Sequence, residues 1–255
     1  MRGKELLEKM ELIDPAYVEA AEAKPRKKKG VWLKWGAMVA CLCIVISAVI
    51  MIPYFGGGHG DPQQGEIVLS KKTTAKVTYG WESENVVSSK SELLSLSEEE
   101  MFSREKMYVF RGRVSGLSNI TIDFNGVKEV RCIATVQIEK VYQGDITAGE
   151  KIKMLIPCAL GIGEMWIEDT DVITHLEDGM EGIFMPWVYD EGSYMEINGA
   201  TLMLRDIASC GLADGMRWAF LATDNGLVFE RDAYPGTKAA ENLDDIEAYV
   251  TEMLK

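Results

Sequence analysis

The chain has 255 residues, with 27 Lys/Arg, 40 Asp/Glu and a formal net charge of -13. That length holds one ordinary globular domain plus extras. Residues 1–34 carry nine Lys/Arg against six Asp/Glu, which leaves 18 basic and 34 acidic residues downstream, or +3 followed by -16. So acidic a downstream part repels nucleic-acid phosphates and argues against binding duplex or single strands.

In the basic tail, residues 1–34, the stripe Leu6, Leu7, Met10 and Ile13 predicts a short helix, and Asp14-Pro15 reads as the cap and first-turn residue of a second. So short a segment holds no core of its own. It is a lead-in to a membrane or a hook for a cytoplasmic partner.

Trp35 to Ile52 (WGAMVACLCIVISAVIMI) carries no charge, and Pro53, Tyr54 and Phe55 lengthen it enough to cross a hydrocarbon core of ~30 Å. Only Ser47, Cys41 and Cys43 interrupt the hydrocarbon, whereas a soluble core helix would show a polar face at the 3.6-residue period. The segment 35–55 is therefore expected to be a transmembrane helix in the lipid bilayer. Lys24, Arg26, Lys27, Lys28, Lys29 and Lys34 precede it, and Trp32, Trp35 and Tyr54 flank it as interfacial anchors, so the N-terminus is expected in the cytoplasm. A cleaved signal peptide would have a shorter basic region and a shorter apolar stretch. Met38-Val39-Ala40-Cys41 resembles a lipidation box but lies at the start of the apolar run rather than after it.

Residues 56–65 (GGGHGDPQQG) read as a flexible tether, with His59 at a solvated loop position. The exported part, 66–255, is expected to be β-rich. Residues 66–81 alternate as a strand pair, and Ser89 to Lys106 has helical spacing, with Ser97 and Glu100 forming a capping box. Strands are expected at 107–114, 119–124, 127–142, 151–157 and 182–188. Asn125-Gly126 marks a tight hairpin turn, and Gly112 marks a bulge or bend. A later hairpin is expected around Asp224-Asn225-Gly226, and residues 242–255 form a helix capped by Asn242, with Leu243, Ile246, Val250, Met253 and Leu254 on one side.

Two resemblances follow from these residues. Glu5-Leu6-Leu7, Ile13-Asp14-Pro15-Ala16-Tyr17-Val18-Glu19-Ala20, the Lys-rich patch, Trp32 to Trp35, Gly36-Ala37 and Cys41-Leu42-Cys43 look like single-pass proteins of gut Clostridia and related Firmicutes, some described as anti-sigma-factor-like. That likeness implies a cytoplasmic sigma factor as a candidate partner of residues 1–34. No His or Cys precedes the span, so the zinc-binding pattern of such regulators is not carried over. Further on, Leu96-Ser97-Glu98-Glu99-Glu100-Met101-Phe102, Val109-Phe110-Arg111-Gly112-Arg113-Val114, Val136-Gln137-Ile138-Glu139-Lys140-Val141-Tyr142-Gln143-Gly144-Asp145 and Gly149-Glu150-Lys151-Ile152 resemble the bacterial OB-like domains related to netrin and metalloproteinase-inhibitor modules. The resemblance implies an OB-like core over about 96–230. Such barrels bind a protein, peptide or glycan on an open face. The inhibitors' N-terminal Cys has no counterpart at the corresponding place, so no inhibitory residue is carried over.

Few residues point to chemistry. Three thiols lie beyond the span, and Cys132 with Cys158 is the best disulfide pair, against buried free thiols for Cys132, Cys158 and Cys210. His175 with Cys158 or Cys210 would be the residues of a Cys-His hydrolase, but nothing local pairs them. Gly161-Ile162-Gly163 is followed by Glu164, Met165 and Trp166 and lacks the further Gly of a nucleotide fingerprint. Glu164, Glu168, Asp169, Asp171, Glu177 and Asp178 form an acidic segment that reads as a weak Ca²⁺ site or a solvated loop. No residue is assigned a catalytic, cofactor or metal role.

The expected fold is α+β: a transmembrane helix followed by an exported, mainly-β, OB-like barrel with a C-terminal helix. The expected function is non-enzymatic binding or sensing of an extracellular protein, peptide or glycan. A transmembrane regulator acting through the tail and an exported Cys/His hydrolase are the alternatives.

Overall fold

Strand β2 (Val109–Phe124) and strand β3 (Val127–Gln143) run 16 and 17 residues, well beyond ordinary strand length. They pair antiparallel from Val109↔Gln143 to Phe124↔Val127 across the Asn125-Gly126 turn, whose residues take φ of 52° and 95°. Positive φ at both central residues gives the turn a backbone twist matching that of its strands. The computed structural model describes residues 67–80, 96–161 and 169–255. The tail, the apolar run and the tether lie outside the described residues; within them no helix is long and apolar enough to cross a membrane.

β2 was expected as two strands, at 107–114 and 119–124, but it continues through Ser115–Ser118. Register shifts at Arg111/Gly112 and Val114/Gly116 keep the ladder going while turning the strand. Gly112 is required at the first of these. A Cβ there would lie 2.7 Å from the Gln137 carbonyl oxygen and 2.9 Å from a Val136 methyl. The bulges let one strand serve two cores. Phe110 and Val114 lie in the larger one, and Ile120, Ile122 and Phe124 in the smaller.

The sheet is completed by contributions from distant parts of the chain. Strand β4 (Lys151–Ile156) pairs antiparallel with β3, and β9 (Cys210–Gly211) runs parallel to β4. β6 (Trp187–Val188) is antiparallel to β9 and returns to the start of β2 through the Met107↔Trp187 bridge. There Tyr108 N donates to Pro186 O and Val188 N to Lys106 O, both at 2.9 Å. β5 (Glu181–Phe184) lies along Phe110–Arg113 of β2, and β10 (Ala219–Thr223) and β11 (Gly226–Val228) extend the sheet beyond it. The single strand expected at 182–188 is thus two, because Pro186 has no N–H to continue a ladder. The unit is mainly β, with a sheet curled into a half-barrel and a C-terminal helix.

Of the strand pair expected over 66–81, the described residues 67–80 form only one strand. That strand, β1 (Lys76–Tyr79), joins β2 at Ile120–Asp123. Ile67 to Ala75 instead runs beside a hairpin that was not anticipated, β7 (Tyr194–Ile197) and β8 (Ala200–Met203), with Thr74 N and Ala75 N donating to Thr201 O. Together they cover Ile120, Ile122, Phe124, Ile133 and Leu155 with Ala75, Ala200 and Leu202. The hairpin's own Asn198-Gly199 turn locks onto the first one: Asn125 Nδ2 donates to Asn198 O at 3.2 Å, and Asn198 Nδ2 to Asn125 O at 2.9 Å. One outer face of the curled sheet is therefore closed by the chain itself.

Both expected helix caps are present. Helix α1 (Glu98–Phe102) starts at the Ser97/Glu100 capping box, and α2 (Leu243–Met253) starts at Asn242, boxed with Asp245. Leu243, Ile246 and Val250 bury one face of α2 in the larger core. On its polar face, Glu247 accepts from Lys140 Nζ, Tyr142 Oη and Arg111 Nη1, while Arg111 also meets Asp244 at 2.7 Å. The Lys140 ammonium and then the Tyr142 hydroxyl hold the Glu247 carboxyl below its ordinary 4.5.

Two outcomes follow. A carboxyl with a depressed folded-state pKa contributes stability in full above its unfolded value, and that contribution is lost as pH falls through the folded value. Urea midpoints of the wild type are expected to drop below about pH 4.5, whereas Glu247→Gln starts lower near pH 7 and falls less on acidification. Gly112→Ala is expected to cost about 1–3 kcal/mol by the same measurement, because the added methyl meets backbone.

Candidate functional site

Where β6 returns to the entrance of β2 the chain forms a small joint whose side-chain contacts stand apart among the described residues. α1 buries Met101 and Phe102, after which the chain leaves the helix at Ser103 and passes Arg104 to reach β2. Gln143, at the far end of β3, steadies that passage: its Nε2 amide donates to Arg104 O at 3.2 Å and to Met107 O at 3.3 Å. The Arg104 guanidinium then lies over the Trp187 ring, 4.6 Å from its centroid. Trp187 in turn meets Trp218 edge to face at 5.8 Å and 78°. Lys106 and Asp190 make an exposed ion pair of 2.6 Å beside the joint.

The inner end of this stack is fully satisfied. Trp218 is buried, and its Nε1 donates to Asp214 Oδ2 at 2.7 Å. The same oxygen accepts from Arg217 Nε at 3.1 Å and Nη2 at 2.8 Å, while Oδ1 takes the Met216 and Arg217 amides, each at 2.9 Å. Asp214 is 5% exposed, so this buried carboxylate is stabilised by five N–H groups from residues within four of it, two of them on the charged guanidinium.

The outer end is not. Among the described residues, Arg104 Nε and Trp187 Nε1 are the two buried side-chain nitrogens or oxygens without a hydrogen-bond partner, and they belong to the same stacked pair. Both are donors. Each unmet N–H costs about 1–3 kcal/mol, and the cation–π contact returns only about 0.5–2 kcal/mol. Stacking Arg104 on Trp187 therefore gains the fold little or nothing. Both residues remain partly exposed, so the pair opens to the surface. It combines a partly exposed aromatic ring and a cation with two buried, unmatched N–H donors, and has no nucleophile or base among its groups.

The residues singled out from sequence are placed elsewhere. Cys132, Cys158 and Cys210 are free thiols with side chains sealed in the larger core. Burial pushes Cys132 and Cys210 up to about 12 and Cys158 up to about 11, which keeps all three protonated and poorly nucleophilic. His175 is exposed in a short 3-10 turn, its Nδ1 bonded to Asp171 O at 2.9 Å. The imidazole thus lies on the surface and the thiols in the core. Of the acidic segment, Glu164 and Glu168 lie outside the described residues, as does His59; among the described residues no three His, Cys, Asp or Glu gather as metal ligands. No signal in the sequence marked Arg104 or Trp187, because their contact exists only once β6 returns to β2. No family model, no curated protein and no solved structure matches the chain.

Asp214→Ala would leave Arg217 and Trp218 without their acceptor inside the core. The expected loss is about 3–5 kcal/mol in urea unfolding, with a red-shifted native tryptophan emission as water reaches Trp218.

Proposed function

We propose that this protein is a membrane-anchored binding or sensing protein: residues 35–55 span the bilayer, residues 1–34 stay in the cytoplasm, and the mainly-β unit is displayed outside to recognise a ligand without chemistry. The observation that carries the binding half is the partly exposed Arg104–Trp187 pair with its two unmet donors. Native proteins pair nearly all buried polar groups, so each one left over calls for a partner from outside the chain or another physical cause. The anchoring half rests on the charge-free run Trp35 to Ile52 and its basic flank.

An OB-like core is part of the same proposal. The pairings β2-β3-β4-β9-β6 and back to Met107, two residues before β2, with β4 and β9 parallel, support it, since a five-stranded Greek-key barrel is ordered in this way. In this chain the β7–β8 hairpin and residues 67–75 pack on one outer face. That directs recognition to the Arg104–Trp187 joint instead. The buried, protonated thiols favour binding over the Cys/His hydrolase alternative.

The test is topology in intact cells of a chain tagged at both ends. Added protease should remove the C-terminal tag and spare the N-terminal one, and the chain should resist carbonate extraction. A protected C-terminal tag, or release by carbonate, sinks the anchored, outward-facing reading.

A further inference from the structure

We infer that Arg104 is a displaceable lid on Trp187 and that the uncovered ring takes a neutral pyranose glycan. The inference rests on the binding reading above and names the ligand class of that site. Arg104 covers the Trp187 ring at 4.6 Å yet forms no ion pair among the described residues, and its Nε is unmatched while it stays there. Swinging outward rehydrates that nitrogen. What the departure uncovers is the face of a flat apolar ring whose indole N–H, buried while Arg104 is in place, has no acceptor in the chain as described.

A pyranose fits these demands, since its C–H face stacks on an aromatic ring and its hydroxyls accept from an indole N–H. Other ligand classes fit worse. A peptide adding as a strand needs free backbone groups, but at this joint Tyr108 N, Pro186 O, Val188 N and Lys106 O are already bonded to one another. An anionic ligand meets a chain segment carrying -16 downstream of residue 34, with the nearby lysine, Lys106, held by Asp190. Neutral glycans escape both obstacles.

The experiment is titration calorimetry on the full chain in a sugar-free detergent, with chitotetraose and cellotetraose as neutral probes, tetragalacturonate as the acidic one and a blocked tetraalanine as the peptide. Both neutral glycans binding equally would assign recognition to the ring, and chitotetraose alone to its acetamido carbonyl; either supports the inference. Arg104→Ala should bind the neutral glycan about three- to tenfold more tightly, because no cation–π contact has to be broken. Trp187→Phe keeps an aromatic ring but removes the donor and part of the stacking surface, and should bind about tenfold more weakly. Tighter binding of the acidic glycan or the peptide than of either neutral glycan overturns the ligand class. Weaker glycan binding by Arg104→Ala overturns the lid, since Arg104 would then be a ligand contact. No heat from any probe, with circular dichroism of both variants intact, overturns the site. Carbonate extraction and tag protection read the anchored topology independently, so failure here and failure there are distinguishable.

Discussion

The ladder between β2 and β3 is the interaction on which the rest of the structure depends, because every other strand of the curled sheet reaches it directly or through one or two neighbours. Its length is possible only because the ladder bends. A flat hairpin of 16 and 17 residues would present one long apolar face that a unit of this size could not cover. The register shifts beside Gly112 and Gly116 divide that length in two, so the early half of β2 faces the larger core and the late half faces the smaller. Two modest cores then replace one that could not be filled.

Closing the curl sets up a conflict at the joint. Trp187 must sit where β6 meets both β9 and the entrance to β2, which brings its ring against Trp218 and beneath Arg104. The inner ring is tied to Asp214 with good geometry. The outer ring is left with an unmatched donor, covered by a side chain with an unmatched donor of its own. A purely structural joint would be better served by an apolar residue in place of Arg104, and this local inconsistency amid well-satisfied surroundings is what directs attention to it.

Charge does its work at the periphery. Arg111, Arg113, Lys140, Glu139, Glu181, Asp244 and Glu247 form a network over β2, β3, β5 and α2, and its members keep enough exposure to limit what each pair contributes. Their role is orientation more than cohesion. Apolar burial of Leu243, Ile246 and Val250 holds α2 on the sheet, and Glu247, reached by three donors from two strands, sets which way the helix lies.

What the amino-acid order determined by itself is local. Ser97 with Glu100 and Asn242 with Asp245 satisfy the first amides of their own helices, and Asn125-Gly126 closes a hairpin whose strands adjoin it, so neighbours in sequence suffice to recognise each. The charge step after residue 34 and the apolar run beside it are likewise written in one dimension. Asn198-Gly199 carries the same turn signal as Asn125-Gly126, but the four-residue strands around it are too short for alternation to identify them outside their packed context. Tertiary structure alone decided the rest. Whether β2 pauses or continues at Ser115–Ser118, where the strand of 182–188 breaks, which segment covers Ile120, Ile122 and Phe124, and that Arg104 lies on Trp187 all depend on partners distant in the chain. Pairings of that kind are selected by the burial and hydrogen bonding of the whole sheet, a sum that no short stretch of sequence contains.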